Sequence, residues 1–473
     1  MNILLLAMPD TISALDPVMR MPNLGLCSIA GNLEGHRVRV ADLAFHRRGL
    51  ARCVERLLAE QEPELVGLSA MSFQFASACI VAQICRAVRP EARIALGGYH
   101  ASLMYQEIAG GPQAGLFDFL VRGEGELTFQ SLVQALDGWG NGVERIPGLS
   151  FREGESFRHN PASTLADLEA LKLPARDGRL LGEGRLLGLA FDCAETSRGC
   201  TLGCRFCSIT RMYGKTVRLF SLERVLEDLR RIKARGSRGV FFVDDNITLN
   251  VERLKELARL IVRHGLNDLD YVIQASVRGI ASDPKLAPLL ARAGFRWVFL
   301  GIESGIPRNL KDLGKGGGPA DARWAVEALR AQGIGVWGGF IIGNPDDTRE
   351  DIRRTFRYAL ELGVDQPIFQ TLTPYPKTGT RESLLAEGLV TNPDDFSRYN
   401  GFICNVRTRH LSSRALGRAM LWDGLRLYFH PRYLARSRFW RYRPALWPAL
   451  VANNFRYLAG AARGTIFASR HRW

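Results

Sequence analysis

Residues 195–207 read Glu-Thr-Ser-Arg-Gly-Cys-Thr-Leu-Gly-Cys-Arg-Phe-Cys, and this stretch decides how the rest of the chain is organised. It carries three thiols, Cys200, Cys204 and Cys207, in a C-x3-C-x2-C pattern. Two glycines relieve the backbone beside them, because glycine accepts tight turns that other residues resist. Thiols this close together predict a loop that binds one small inorganic centre, with the surrounding elements built to support it.

The number of thiols indicates the kind of centre. Thiolates suit zinc and iron–sulfur clusters best among the biological metals. Structural zinc takes four ligands, usually as two separated pairs, and no second Cys-x-x-Cys or histidine pair follows at that spacing. Standard ferredoxin clusters also use four cysteines. Three thiols would leave one iron of a 4Fe-4S cluster open, as catalytic zinc sites leave one position free. The alternative, three unrelated structural thiols, is disfavoured by their spacing.

Length and composition indicate a globular protein with several domains. At 473 residues the chain is too long for one typical core, and its 46% hydrophobic and 23% charged residues are ordinary. The first nine residues lack a basic leader, and their apolar run is too short for a secretory signal, so we interpret them as a buried strand. No apolar run approaches the roughly 20 residues needed to span a bilayer. We therefore expect a cytoplasmic protein.

The remaining cysteines do not form a disulfide framework. Nine cysteines are too few and too scattered for one. We interpret the six that lie outside the 200–207 motif as small, reduced core residues. They are Cys27, Cys53, Cys79, Cys85, Cys193 and Cys404.

Residues 1–145 alternate short apolar runs with longer amphipathic stretches. The runs are 3–8, 38–41, 65–69, 94–97 and 117–121. This rhythm predicts an α/β fold of the Rossmann type, a doubly wound parallel sheet with helices on both faces. Ligands of such a sheet lie beyond the carboxyl ends of the strands. The candidate ligand loops include residues 69–72, 97–100 and 122–126.

Residues 146–187 break this rhythm with clustered turn residues and predict a linker with a small hairpin. Residues 188–390 return to alternation, with strand-like runs at 239–243, 272–275, 297–302, 336–342 and 368–372. Such alternation predicts a full or partial (β/α) TIM-type barrel, in which function collects at the carboxyl ends of the strands. The polar or small residues that follow these strands are Asp244, Asp245, Gln274, Ser276, Glu303 and Gly343.

Residues 391–473 predict a helical, arginine-rich C-terminal region. Between residues 405 and 473 there are fourteen arginines and one acid, Asp423, a local balance of +13. Two sets of apolar residues fall on helical faces, which predicts a cap packed on the barrel mouth. The sets are Leu416, Met420, Leu421, Leu425, Tyr428 and Phe429, and Trp447, Leu450, Val451, Phe455 and Leu458. Further aromatic residues accompany the arginines: Trp422, Phe439, Trp440 and Tyr442. Arginine with aromatic residues suits a membrane surface with anionic lipid or, alternatively, nucleic acid.

The first third of the chain resembles the cobalamin-binding domain that is fused to many radical S-adenosylmethionine enzymes. The resemblance covers most of residues 1–135 and rests on the element order, with Gly-Gly-Tyr-His at 97–100 followed by Val-Arg-Gly-Glu-Gly-Glu at 121–126. It implies that cobalamin binds at Ser69, Gly97, Gly98, Gly123 and Glu124. Mutases and methionine synthase carry Asp-x-His-x-x-Gly after the first strand, whereas this chain has no histidine between residues 9 and 26. The resemblance therefore implies cobalamin without a lower histidine ligand. The alternative is a domain that does not bind cobalamin and is a relic or a substrate platform.

The three-thiol motif resembles the signature of the radical S-adenosylmethionine superfamily. This implies that Cys200, Cys204 and Cys207 bind a 4Fe-4S cluster whose open iron is chelated by S-adenosylmethionine. It also implies an external electron donor of the flavodoxin or ferredoxin type, and a 5′-deoxyadenosyl radical as the product of sulfonium cleavage. The implied contacts to S-adenosylmethionine are Phe206, Asp244, Asp245, Gln274, Ser276, Glu303 and Gly343.

Two further motifs are typical of the cobalamin-associated branch of that superfamily: Gly-Ile-Glu-Ser-Gly at 301–305 and Thr-Pro-Tyr-Pro at 373–376. The family usually has glycine after the last proline, whereas this chain has Lys377, so we expect a differently shaped turn. The branch implies methyl transfer to an unactivated carbon of a lipid, an isoprenoid or hopanoid, a tetrapyrrole or another natural-product intermediate. The alternatives are radical cyclisation or rearrangement without methyl transfer, and a non-catalytic iron–sulfur binding protein.

The expected partners also follow from the resemblance. The chain lacks the extra RNA-binding domain and the second set of cluster cysteines common in tRNA-modifying radical enzymes, which disfavours nucleic acid. Several members of the branch act on molecules that reside in membranes. We therefore expect a small-molecule or lipid substrate, and peripheral association of the C-terminal region with the inner face of the membrane.

Replacing Cys204 with alanine tests the cluster directly. We expect the C204A variant to lose its iron–sulfur absorption after reconstitution, because the two remaining thiols do not hold the cluster. The matched control is Cys404→Ala, which removes a cysteine outside the motif and leaves the spectrum and the iron content unchanged. An intact cluster spectrum in C204A would contradict the assignment.

Overall fold

The computed structural model of this chain describes residues 1–11, 19–46, 49–138, 142–438 and Pro448. Contacts divide the chain into two compact units. Of the described residues, the first unit contains the first strand and Arg20–Gly184, and the second contains Met19 and the chain from Arg185 to Arg438. The boundary in sequence therefore falls near the end of the stretch predicted as a linker.

Seven strands build the sheet of the first unit. The strands in this part of the chain are β1 (Asn2–Ala7), β2 (Met19–Arg20), β3 (Arg37–Asp42), β4 (Leu65–Ser69), β5 (Arg93–Gly97), β6 (Phe119–Val121), β7 (Leu149–Glu153) and β8 (Ser156–His159). All except β2 form one sheet, in the order β3-β1-β4-β5-β6-β7-β8. The first five strands of that order are parallel. This is a doubly wound order, which confirms the predicted Rossmann-like fold.

β1 shows why the sheet carries helices on both faces. Successive side chains of a strand point to opposite faces. Leu4 and Leu6 pack in one apolar cluster, while Ile3 and Leu5 pack in another, and all four are at most 2% exposed. The helices of this unit are α1 (Leu24–Gly31), α2 (Leu50–Gln61), α3 (Phe75–Val88), α4 (Tyr99–Leu103), α5 (Tyr105–Ala109) and α6 (Gly125–Leu136).

The predicted hairpin is part of the first sheet. β7 pairs antiparallel with β6, and β8 pairs antiparallel with β7. Asp118, directly before β6, accepts hydrogen bonds from the Ile94 amide at 2.8 Å and from the Arg86 guanidinium at 2.7 Å. The Arg152 guanidinium of β7 donates to the other oxygen of the same carboxylate at 3.3 Å. One buried carboxylate thus joins β5, β6, β7 and α3.

The second unit alternates strands and helices. Its strands are β9 (Arg185–Leu186), β10 (Leu189–Ala194), β11 (Ser197–Arg198), β12 (Arg218–Leu219), β13 (Gly239–Phe242), β14 (Asp270–Ser276), β15 (Phe295–Glu303), β16 (Gly335–Ile342) and β17 (Gln366–Thr371). Its helices up to residue 386 are α7 (Ile209–Tyr213), α8 (Leu222–Ala234), α9 (Val251–Arg263), α10 (Val277–Ala281), α11 (Leu286–Arg292), α12 (Pro307–Asp312), α13 (Pro319–Ala331), α14 (Arg349–Leu362) and α15 (Gly379–Ala386).

Six of these strands form the predicted barrel in partial form. β10, β13, β14, β15, β16 and β17 are parallel neighbours in chain order, and β9 and β2 extend the β10 edge. Among the described strands, β17 and β2 are the open edges of the sheet. β10 is missing from the predicted strands, because Asp192 interrupts its short apolar run. This strand leads into the cysteine motif.

The C-terminal region is less helical than predicted. Residues 391–412 are mostly irregular before α16 (Ser413–Tyr428) and α17 (Pro431–Arg436). Asn405 is fully buried there, and its side-chain amide donates to the carbonyls of Arg398 and Ile403 at 2.8 and 3.0 Å. Such bonds satisfy the backbone of a loop without a helix, so this segment does not need helical hydrogen bonds.

The predicted faces of the C-terminal helices are only partly confirmed. Leu416 and Met420 are buried in α16, but Phe429 is 67% exposed because it follows the last helical residue. The second predicted set, Trp447 to Leu458, and the aromatic residues Phe439, Trp440 and Tyr442 lie outside the described residues. No helix in the described part of the chain is both long enough and apolar enough to cross a membrane.

Asp118 provides a test of the first sheet. We expect Asp118→Ala to lower the free energy of unfolding by about 3 kcal/mol, because buried donors lose their charged acceptor. Urea denaturation followed by circular dichroism measures the change. Asp137→Ala is the control, since Asp137 is an exposed carboxylate of the same unit, and it should change stability by less than about 0.5 kcal/mol. Equal denaturation midpoints for the two variants would contradict the role of Asp118.

Candidate active site

Two short strands close the cysteine loop at its base. β11 and β12 pair antiparallel, and the Phe220 amide donates to the Thr196 carbonyl at 3.0 Å. Residues 199–217 form the loop between them, which contains α7 and all three cysteines. Because β10 ends at Ala194 and β11 begins at Ser197, the first strand of the partial barrel delivers the cysteines to the carboxyl edge of the sheet.

Asp244 anchors the start of this loop. It follows β13, is 1% exposed, and accepts hydrogen bonds from the Thr196 amide at 3.0 Å, the Thr196 hydroxyl at 2.6 Å and the Ser197 hydroxyl at 2.6 Å. Burial raises the pKa of its carboxyl group, although the bonds from Ser197 and Thr196 oppose the shift. These partners occupy the carboxylate, so Asp244 positions the loop from behind.

Asp245 supports the next residue of the loop. Its carboxylate accepts a hydrogen bond from the Gly199 amide at 2.9 Å, and burial raises its pKa. Unlike Asp244, it is half-buried. The adjacent carboxylates thus hold three of the four residues from Thr196 to Gly199. The exception is Arg198, which pairs with Glu195 at 2.7 Å.

The far side of the loop is fixed by backbone bonds. The Arg205 amide donates to the Leu313 carbonyl at 3.0 Å, and the Arg205 carbonyl accepts from the Thr380 amide at 3.1 Å. The Cys207 amide donates to the Cys204 carbonyl at 3.2 Å, which closes a tight turn between two of the thiols. Phe206, within that turn, is half-buried. The cysteines therefore lie on a loop that is held at both ends and in the middle.

The three thiols lie in one largely buried environment. Cys200 and Cys204 are buried and Cys207 is half-buried. Burial raises the pKa of all three thiols, to about 11 at Cys207, and Cys200 and Cys204 also act electrostatically on Cys207. Metal ligation requires the thiolate, so a positively charged centre must offset this burial. Two buried thiols and one half-buried thiol near one another fit an iron–sulfur cluster.

A single metal ion fits less well. Within the described residues, no three His, Cys, Asp or Glu side chains are arranged to hold one ion. In a 4Fe-4S cluster each thiolate binds a different iron, so the ligands stand farther apart than those of one ion. The C-x3-C-x2-C spacing in the sequence is the observation that favours a cluster over mononuclear zinc.

Glu303 and Lys315 add a buried ion pair next to the thiols. The Lys315 ammonium lies 2.7 Å from the Glu303 carboxylate, and the two side chains are 10% and 11% exposed. Burial lowers the pKa of Lys315, but the interaction with Glu303 outweighs it and the net shift is upward; Cys204 and Cys207 contribute to that rise. A Cβ on Gly301 would lie 2.8 Å from both charged groups, so the glycine makes room for the pair.

Lys315 is the site residue that the sequence reasoning missed. It lies in a loop rather than at the end of a strand, within the run Gly-Lys-Gly-Gly-Gly at 314–318. A lone lysine among glycines is the local signal that could have found it, since glycines allow a close approach of the backbone. Its pairing with Glu303 is visible only in the fold.

Glu303 itself is strained. Its φ is 63°, a left-handed conformation that non-glycine residues rarely adopt, and the pairing register between β15 and β16 shifts at this point. Strain of this kind collects at functional sites when the surrounding structure enforces it. The conformation places the carboxylate beside Lys315.

The ends of β13 and β14 are joined by a hydrogen-bond network. The Gln274 side-chain amide lies 3.4 Å from the Asp244 carbonyl, and the Ser276 hydroxyl lies 3.1 Å from that of Thr248. The Ser276 amide also donates to the Asn246 side chain at 3.2 Å. Both Gln274 and Ser276 are half-buried, so the structure brings these two predicted residues next to the Asp244 segment.

Gly343 and Lys377 shape two turns beyond β16 and β17. Gly343 has a φ of 86°, and a Cβ there would lie 2.6 Å from Leu416, so its lack of a side chain admits α16. Lys377 has a φ of 59°, the conformation that glycine favours. The lysine therefore adopts the backbone conformation that glycine would adopt at this position. The turn is expected to differ in shape because lysine replaces glycine, but the φ of Lys377 does not produce such a difference.

In the first unit, the predicted cobalamin residues form a shelf at the carboxyl ends of the strands. Ser69 is in register with Gly97. Gly98 has a φ of 91°, and a Cβ there would lie 2.7 Å from the Ala70 carbonyl oxygen. The Ser102 hydroxyl donates to the Gly98 carbonyl and accepts from the Gly123 amide, both at 2.9 Å. Small residues thus leave a backbone-lined surface that fits a large flat cofactor.

Glu124 and His100 lie beside this shelf and have different roles in it. The Glu124 carboxylate accepts from the Ala166 amide at 2.9 Å, so it holds the segment that follows the hairpin. His100 is 2% exposed, and its ring lies 4.4 Å from that of Phe75. Burial lowers the pKa of His100 to about 4, so it is neutral at pH 7. It packs inside the unit against Phe75.

The fold and the site together define a two-unit α/β protein in which a partial barrel presents an iron–sulfur motif and a doubly wound sheet presents a cofactor shelf. Comparisons with known proteins show which families the two units resemble. The radical SAM superfamily profile matches residues 194–359, and the B12 binding domain profile matches residues 14–133. The two profiles thus fall on the two units.

Two curated relatives cover most of the chain. An uncharacterized methyltransferase of Pyrococcus horikoshii is 31% identical over 446 residues, which are 92% of this chain and 94% of that protein. Hopanoid C-3 methylase of Methylococcus capsulatus is 30% identical over 365 residues, 76% of this chain and 68% of that protein.

A solved structure shares the fold. It is the radical S-adenosylmethionine methyltransferase TsrM from Kitasatospora setae with cobalamin and a 4Fe-4S cluster bound. Its TM-score is 0.66 at 22% identity, over 83% of this chain and 76% of that one. The chain belongs to the cobalamin-dependent radical S-adenosylmethionine methyltransferase family. It is an enzyme whose cofactors are a 4Fe-4S cluster, S-adenosylmethionine and cobalamin.

Asp244→Ala tests the anchor of the cysteine loop. The change leaves the Thr196 and Ser197 donors without an acceptor, which costs about 2 kcal/mol locally and speeds amide exchange of residues 196–207 roughly 30-fold. Hydrogen–deuterium exchange measures this, and we expect iron content after reconstitution to fall with it. Asp268→Ala, which removes a surface carboxylate 2.8 Å from Lys233, is the control. Unchanged exchange in D244A would show that the carboxylate does not hold the loop.

Proposed function

We propose that this enzyme transfers a methyl group to an unactivated carbon of a lipid, an isoprenoid or hopanoid, a tetrapyrrole or a related natural-product intermediate. The observation that carries the proposal is the presence in one chain of a three-thiol loop at a barrel mouth and a glycine-lined shelf on a doubly wound sheet. The similarity to a hopanoid C-3 methylase supports a lipid-related substrate. When bound, the cluster and S-adenosylmethionine supply a hydrogen-abstracting radical, and cobalamin supplies a transferable methyl group.

In this proposal Cys200, Cys204 and Cys207 hold the cluster, and the residues around them hold S-adenosylmethionine. Lys315 and Glu303 present an ammonium and a carboxylate beside the thiols, which complements the carboxylate and amino groups of a methionine moiety. Asp245, Gln274 and Ser276 offer further polar groups on the neighbouring strand ends. Phe206 and Gly343 complete the proposed set, while Asp244 acts by positioning the loop.

The shelf of the first unit holds cobalamin through close backbone approach. Ser69, Gly97, Gly98 and Gly123 provide this surface, because short side chains do not obstruct a planar ligand. Glu124 keeps its rim in place through Ala166. We propose that cobalt receives no lower ligand from His100, whose ring is buried against Phe75.

The proposed reaction requires an external electron donor of the flavodoxin or ferredoxin type. The cysteines outside the motif are scattered along the sequence, so the chain offers no second set of clustered thiols for another iron–sulfur centre. The reducing electron therefore comes from a partner, which dithionite replaces in a test of the isolated enzyme.

Isotope labelling tests methyl transfer. Reconstituted holoenzyme is incubated with dithionite and with S-adenosylmethionine that carries a trideuterated methyl group, in the presence of isoprenoid and tetrapyrrole extracts. We expect 5′-deoxyadenosine and a product that gains one labelled methyl group in place of hydrogen, both measured by mass spectrometry. The C204A variant should form neither.

Other outcomes distinguish the remaining hypotheses. A product with two hydrogens fewer and no label would indicate cyclisation or oxidation instead of methyl transfer. Absence of 5′-deoxyadenosine while the cluster is intact would contradict the radical mechanism.

A further inference from the structure

One face of α16, together with Phe429 directly after it, combines arginines with large aromatic residues. The positions Arg414, Arg418, Trp422, Arg426 and Phe429 are spaced by four, four, four and three residues, and all five are exposed. Residues three or four apart lie on the same face of a helix, so these side chains form one stripe. Trp422 is 58% exposed and Phe429 is 67% exposed, and both are among the most exposed large apolar residues of the described chain.

The opposite face of α16 fixes the orientation of this stripe. Leu416 is fully buried and approaches Gly343 at the end of β16. Asp423 is 4% exposed and pairs with Arg349, the first residue of α14. Leu427 is also buried. Because one face is committed to the barrel, the stripe must face away from it.

The charge of this surface has one sign. Asp423 is the only acid between residues 411 and 438, and it lies on the buried face. Arg426 reaches back to it at 3.4 Å but is itself 70% exposed. In the part of the chain that the structure describes, Arg414 and Arg418 have no ion pair. α17 continues the surface with the exposed residues Arg432 and Leu434, the latter 42% exposed.

We propose that this stripe, continued by the exposed side of α17, is a docking surface for an anionic lipid bilayer. Aromatic side chains enter the interfacial region of a bilayer, where an indole satisfies both its apolar body and its N–H group. Arginines at the same depth pair with lipid phosphates and keep their charge in the headgroup layer. A helix whose inner face is packed on a barrel and whose outer face is cationic and aromatic lies in the plane of the membrane.

This inference rests on the proposed lipid-related function, since docking would bring the barrel unit to the membrane in which such substrates reside. The inference is also supported by the geometry of α16 alone, whose outer face carries the stripe. The charged residues of this stripe are all arginines, and the stripe carries no acid. Charge complementarity therefore favours a surface of uniform negative charge.

Vesicle sedimentation tests the proposal with the full-length holoenzyme. The probes are phosphatidylcholine vesicles with and without phosphatidylserine, at moderate salt. We expect the protein to pellet with the anionic vesicles and to stay in the supernatant with the neutral ones. The double variants Trp422→Ala with Phe429→Ala, and Arg414→Gln with Arg418→Gln, should each weaken binding by about tenfold or more.

Matched controls separate docking from folding and from catalysis. Trp324→Ala removes an aromatic residue of α13 that is 38% exposed, and Arg259→Gln with Arg263→Gln removes two arginines of α9; both should bind like the parent enzyme. Circular dichroism and dithionite-driven formation of 5′-deoxyadenosine should be unchanged in the stripe variants. Loss of vesicle binding with retained 5′-deoxyadenosine formation supports the docking surface.

Three results would overturn the inference. Parent enzyme that remains in the supernatant with anionic vesicles excludes a lipid surface. An equal loss of binding in the control variants shows nonspecific attraction between charges. The third result is that short RNA displaces the enzyme from vesicles and binds it more tightly than the vesicles do. If the same stripe variants also weaken RNA binding, the surface is assigned to nucleic acid instead.

Discussion

The buried carboxylate of Asp244 is the interaction on which the cysteine loop depends. It lies at the end of β13 and accepts hydrogen bonds from Thr196 and Ser197, which carry the chain from β10 into the loop. A buried carboxylate is costly without donors, and buried donors are costly without an acceptor, so each half of this contact requires the other. Through this contact, Asp244 at the end of β13 holds the loop that follows β10, the first parallel strand of the barrel.

The same barrel edge also gathers charge. Glu303 and Lys315 form a nearly buried ion pair beside Cys204 and Cys207, and Glu303 adopts a left-handed backbone conformation to do so. Such a conformation costs on the order of 1 kcal/mol or more and persists only where neighbouring contacts enforce it. Here the pairing of β15 with both neighbours and the ammonium of Lys315 supply that constraint. The strained residue lies at the carboxyl edge of the barrel, beside the cysteine loop that we propose holds the cluster.

α16 links this edge to the outer surface. Its buried face touches Gly343 and pairs with Arg349, while its outer face carries Arg418 and Trp422. The composition of the C-terminal region predicts a basic and aromatic surface, but only the helix phase separates the residues that pack from those that face outward. Phe429 shows the difference, since its apolar character favours burial and its position after the helix end exposes it.

Local patterns in the sequence determined the doubly wound sheet, the alternating barrel and the three-thiol motif. Strand runs such as residues 3–8 and the spacing of Cys200, Cys204 and Cys207 act over a few residues, so they are readable without a fold. The sequence pattern does not predict β10, because Asp192 interrupts its apolar run. Tertiary structure alone decided that Asp244 serves the loop from behind, that Lys315 joins the site and that the hairpin extends the first sheet. These contacts join residues far apart in sequence, and strand pairing, which no local pattern encodes, brings them together.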